Sequence, residues 1–327
     1  MRYLFRLAIA IVLIGVLVWL GDGVAAHWEI MTRLSIHALV LAMLAITAGR
    51  TVMAYKWLRL LRCRGAAMSL RTATQVYCAA NVWGLFLPAT IGADAVRTVC
   101  ASREGLNGHT VVASMLVERG IGFIISSLLC LLAVLYLATI APLGTTLYFT
   151  GWFAAAMLAG VMLALWLSFT ESIYNFLHDT VLRRVSGSKP ARLLRELHDA
   201  YREYAHHRRE LAIFSVLTVV EAVVTAAAFW ILAVGLEIEA SLAAVLAAMF
   251  LANLAARIPL SVGGFGVFEA MFVLALMLVG VTSTEALSIA LLGQILKILS
   301  WLPWWFSYTL NAGSFSVPGR DTATEKP

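Results

Sequence analysis

The sequence predicts an all-α integral membrane protein, a polytopic helical bundle of about six full spans plus two broken or re-entrant helix pairs of inverted-repeat type. Three observations carry that prediction. Of 327 residues, 61% are hydrophobic and only 13% are charged, with a mean hydropathy of +0.88. A soluble domain carries about 25% charged residues, so this chain lacks the polar surface that water contact requires. Its apolar runs reach the ~20 residues that cross a bilayer. Two of those runs are interrupted by proline and glycine in similar ways.

In chain order, Tyr3–Leu20 is the first span, read as a retained signal anchor, with cleavage after the small residues Val24-Ala25-Ala26 as its rival. Gly21–Arg33 is an outer loop, and Leu34–Tyr55 returns inward with Arg50 inside it. Lys56, Arg59, Arg62, Arg64 and Arg71 follow with no acid among them, which places that loop in the cytoplasm. Residues 72–105 form the first broken segment, flanked by cations on both sides. Glu118–Ile140 and Leu147–Phe169 are full spans joined by an outer turn near Pro142. Residues 171–210 hold eight Lys plus Arg against six acids and form a cytoplasmic loop. Leu193, Leu194, Leu197, Tyr201 and Tyr204 recur there at helical spacing, an amphipathic helix lying on the inner leaflet or on the bundle's end. Leu211–Leu236 spans outward, residues 242–281 form the second broken segment, as a re-entrant hairpin or two full spans, and Leu287–Leu310 is the last span. The chain thus reads as one transmembrane domain over 1–310 and a disordered tail over 311–327. Both termini are cytoplasmic in a multi-pass protein of the inner membrane.

The two interruptions share the pattern P-x-[S/T]-[I/V]-G. One is Pro88-Ala89-Thr90-Ile91-Gly92 and the other is Pro259-Leu260-Ser261-Val262-Gly263. Asn81 and Asn253 precede the prolines, and the acids Asp94 and Glu269 follow them. The loop charges make the first segment enter from inside and the second from outside. Broken segments in corresponding positions of two halves point to the binding site of a transporter. Unwound backbone also frees N–H groups at the next half-helix, which favour an anion. A lipid phosphate is the anion available at that depth, and glycines let the backbone approach it.

Charges within the apolar runs cost ~2.5–3.5 kcal/mol each at a helix centre. The substrate-binding candidates are Asn81, Pro88, Gly92, Asp94, Arg97, Glu118, Arg119, Arg257, Pro259, Gly263, Gly264, Gly266 and Glu269. Asp94 and Arg97 share a helical face, and Arg257 and Glu269 could meet across the second break. Arg50, Arg97 and Lys297 have snorkelling as a competing role, Glu221 a bond to a neighbouring helix. Trp301, Trp304 and Trp305 read as interfacial anchors rather than ligand contacts. The four cysteines form no CxxC and no HExxH occurs. No catalytic residue, metal site or cofactor is expected, and no nucleic-acid partner.

The run Asn81…Phe86 to Arg97, then Glu118-Arg119, then Pro259 to Glu269, resembles the lysylphosphatidylglycerol synthase transmembrane, flippase-like family over about residues 5–310. The chain carries Ala89-Thr90 where the family often has Gly-Gly, Ala93 where a glycine is common, and Lys297 where an Arg is common. The resemblance is to a stand-alone member, without the soluble aminoacyl-transferase domain of the family's bifunctional members. The resemblance implies transport or flipping of a membrane lipid with an anionic or zwitterionic headgroup held in a charged central cavity. The alternative is an integral-membrane enzyme or accessory subunit acting on a lipid headgroup, a hopanoid or a polyprenyl-linked carrier. A homodimer and lipid-biosynthesis enzymes are the partners such a protein would take.

Overall fold

The computed structural model describes residues 23–86, 90–140, 145–169, 203–257 and 264–312, with isolated positions between 12 and 19. Ten α-helices account for most of them: α1 Gly23–Thr32, α2 Ile36–Arg62, α3 Leu70–Phe86, α4 Thr90–Arg103, α5 Gly108–Ile140, α6 Thr145–Phe169, α7 Arg208–Gly235, α8 Leu242–Ala255, α9 Val267–Met277 and α10 Ser283–Ala312. No strand occurs among the described residues. Four helices, α2, α5, α7 and α10, are long and apolar enough to cross a membrane. Their outer faces carry bare apolar side chains such as Leu44, Leu135, Val216 and Phe306. Such faces would aggregate in water and are at home against acyl chains.

Local chemistry sets the helix ends. Ser35 and Ser241 start α2 and α8 by accepting the backbone N–H groups of Ala38 and Ala244. Thr282 and Glu285 form a reciprocal capping box at the start of α10.

The helices pair by a two-fold rule. α2 and α7 form the central pair. α3 packs on α4 and on α10; correspondingly α8 packs on α9 and on α5. The α4–α5 contact matches α9–α10, and α2–α3 matches α7–α8. The frame is therefore span, hairpin, span, used twice. α2 and α7 run antiparallel, because Ala38 lies against Gly235 while Arg59 binds Glu210. A two-fold axis that swaps two antiparallel spanning helices lies in the membrane plane, which is the geometry of an inverted repeat.

Both interrupted segments are hairpins of short helices. The arms of the second are 14 and 11 residues long, roughly 21 and 16 Å at 1.5 Å per residue. Neither crosses a hydrocarbon core of ~30 Å, so residues 242–281 are not two full spans. Each hairpin closes on an alanine–glycine contact. A Cβ on Gly84 would lie 2.6 Å from that of Ala93, and one on Gly264 would lie 2.8 Å from that of Ala256. The Pro88 and Pro259 tips, with Gly263, fall outside the described residues, as do most of the first span, the expected amphipathic helix as far as Arg202, and the tail beyond Ala312.

Several boundaries differ from the sequence reading. The expected outer loop at Gly21–Arg33 contains helix α1, docked on α10 by a 2.9 Å hydrogen bond between His27 Nδ1 and Ser288 Oγ. α2 continues to Arg62, so Lys56 and Arg59 are helical rather than looped. α5 begins ten residues before Glu118 and places that acid inside the helix. Charge patterning marks the sidedness of a segment and does not mark where a helix frays.

Candidate functional site

A cavity of about 480 Å3 opens between the two hairpins and the four long helices. It lies within the ~300–1,000 Å3 typical of small-molecule sites. Its wall includes six cations, Arg50, Lys56, Arg97, Arg119, Arg257 and Lys297, and three carboxylates, Asp94, Glu118 and Glu221.

The first hairpin builds one charged network. Arg97 is buried and donates from Nη1 to Glu118 Oε2 at 2.9 Å and from Nη2 to Asp94 Oδ1 at 3.4 Å. Its guanidinium also lies over the rings of Tyr77 and Trp57, 4.6 and 5.3 Å from their centres. The Tyr77 hydroxyl donates to Glu118 Oε1 at 2.7 Å. Arg119 reaches across to Asp94. Asp94 and Arg97 therefore share a face as their spacing predicts, and Arg97 does not snorkel. Lys56 Nζ on α2 binds Glu221 Oε2 on α7 at 2.6 Å and Thr218 Oγ1 at 3.2 Å.

Arg50, Arg257 and Lys297 differ from these. Among the described residues none of them has a carboxylate at salt-bridge distance. Arg50 lies over the Trp301 indole at 5.6 Å and donates weakly to Met53 Sδ, with its Nε unpartnered. Arg257 follows the Ala256 cap of α8, donates to Ser126 Oγ at 3.1 Å and lies over Phe123. Lys297 Nζ sits 5.1 Å above the Phe268 ring. Arg50 stands fourteen residues from one end of α2 and twelve from the other, roughly 18–21 Å. Lys297 is equally central in α10. Both cations therefore sit near the middles of their helices and turn into the cavity rather than along the helix toward an end.

Asn81, Asp94, Arg97, Glu118, Arg119 and Arg257 all line the cavity, joined by Asn253, the counterpart of Asn81 in the second hairpin. Gly92, Gly264 and Gly266 lie outside its wall. Glu269 does not meet Arg257. It is fully buried behind the wall, where its carboxylate accepts the Gly266 N–H at 2.5 Å and Gln294 Nε2 at 3.2 Å. The start of α9 is thus capped by its own acid, and that N–H is not offered to a ligand. Residue patterns alone do not single out Lys56, Tyr77, Gln294 or Trp301. Arg50, Met53 and Lys56, three residues apart along α2, are the one periodic hint. Trp301 faces the cavity and Trp305 packs on Trp83, so neither is a simple interfacial anchor.

Among the described residues no cluster of His, Cys, Asp or Glu could hold a metal ion, and all four cysteines are free thiols. No curated protein matches the chain. A family model, described as the lysylphosphatidylglycerol synthase TM region, matches residues 3–303. With nearly its whole length inside that match, the chain belongs to the lysylphosphatidylglycerol synthase transmembrane-region family, membrane proteins linked to lipid handling.

Proposed function

We propose that the protein is a lipid flippase or lipid transporter of the inner membrane that carries a headgroup through the charged cavity between its two repeats. One observation carries this reading. Cations without carboxylate partners stand at the midpoints of spanning helices, lining a cavity between two hairpins related by an in-plane axis. A charge within an apolar spanning helix costs several kcal/mol in lipid. It is tolerated where a polar ligand passes. Movement of one repeat against the other would open the cavity to each leaflet in turn. The family's link to lipid handling points the same way.

Reconstitution tests it. Purified protein in vesicles carrying a fluorescent phospholipid should make the inner-leaflet label accessible to an impermeant quencher faster than in protein-free vesicles. Equal rates with and without protein, across anionic and zwitterionic headgroups, would sink the proposal.

A further inference from the structure

We infer that the cavity selects a headgroup ending in a doubly charged phosphate with no amine, a phosphomonoester, and that Arg50, Arg257 and Lys297 are its ligands. The inference rests on the lipid-transport reading and narrows its cargo. Its first support is charge. The lining holds three more basic side chains than carboxylates, or two more when Glu269 behind the wall is included. A dianion neutralises that surplus, whereas a zwitterion leaves it in place and an aminoacylated lipid increases it.

The second support is hydrogen bonding. Asp94, Glu118, Glu221 and Glu269 are each engaged by donors of the protein itself. Asp94 and Glu118 each hold two such donors, so an incoming ammonium group would compete there with the protein's own cations. The lining's unpartnered buried atoms are Arg50 Nε, Asn81 Nδ2 and Trp301 Nε1, all donors. A buried donor without a partner is costly. All three lie sealed just behind the cavity surface, and an acceptor-rich ligand would satisfy them once the wall adjusts to it. A phosphate fits that description and an amine does not.

The geometry also separates this site from a structural one. A structural ion pair loses stability when its cation is removed. An uncompensated cation held for a ligand costs stability while the site is empty. Lys297→Gln and Arg257→Gln should therefore raise the melting temperature of the ligand-free protein while weakening binding.

The test is equilibrium binding to the full chain in detergent, read by tryptophan fluorescence, with dihexanoyl lipids as probes. Phosphatidic acid should bind at least about tenfold tighter than phosphatidylethanolamine, with lysylphosphatidylglycerol weakest. Each Gln variant should weaken phosphatidic acid about tenfold, the weight of one charge-assisted hydrogen bond. Equal affinity for phosphatidylethanolamine or lysylphosphatidylglycerol, or unchanged binding by both variants, would overturn the inference; the lipid series on the unmodified protein needs no variant to fold. Glycerol 3-phosphate separates the two claims. If it matches phosphatidic acid, the dianion site stands and the lipid reading fails. If phosphatidic acid binds selectively but no lipid moves in vesicles, transport alone fails.

Discussion

Arg97 and Arg257 bear the same charge in the same cavity and have opposite surroundings. Arg97 is held by two carboxylates and two aromatic faces, Arg257 by one serine hydroxyl and one phenyl ring. The side chains of Arg97 and Glu118 are only 8% and 12% exposed. Removing one partner of such a pair leaves a buried charge uncompensated and costs about 3–5 kcal/mol. Glu118→Gln should accordingly lower the melting temperature of the detergent-solubilised protein sharply. The Arg119 side chain is 40% exposed, so Arg119→Gln should cost no more than ~1 kcal/mol. Equal losses in the two variants would mean that the network is not organised around Arg97.

At the scale of the element, each hairpin depends on a glycine that admits the opposite arm. In the first, the glycine is Gly84 on α3 and the alanine is Ala93 on α4. In the second, Ala256 ends the first arm and Gly264 begins the return. Gly84→Ala should destabilise the protein by about 1–3 kcal/mol through overpacking. Ala93→Gly in the same chain should recover most of that loss, because the clash is between the two Cβ atoms. Gly264 has φ of +82°, so Gly264→Ala carries backbone strain that Ala256→Gly cannot relieve. Thermal unfolding of the four single and double variants checks both statements. Rescue at Gly264 would refute the distinction.

For the whole molecule, the antiparallel α2–α7 pair fixes which loops share a side. The α2–α3 turn lies beside residues 203–207, since Arg64 pairs with Glu203 and the Tyr204 hydroxyl donates to Leu60 O at 3.0 Å. The opposite end brings Ser35 N within 3.3 Å of Gly235 O. In a cysteine-free background, Gly65→Cys and His206→Cys should react with an impermeant thiol reagent from one side of the membrane, and Glu237→Cys from the other. The cation excess predicts that the first pair is cytoplasmic. Labelling of positions 65 and 237 from the same side would break the inverted-repeat architecture.

Membrane class, the two interruptions and the kinship were determined by the sequence alone. Hydropathy over twenty residues and a proline–glycine pattern are local properties, and they survive whatever the chain packs against. That Asn81, Asp94 and Arg97 line the cavity was legible for the same reason, since they flank the first break in the sequence. The partners of those charges were decided only by the tertiary structure. Lys56 and Glu221 are 165 positions apart, and no local pattern links them. The fate of Glu269 was equally hidden, because three residues of separation suit both a helix cap and a cavity wall. Pairing is a matter of distance in space, and the antiparallel packing of two distant helices set those distances. That packing left three cations unmatched in the middle of the bundle.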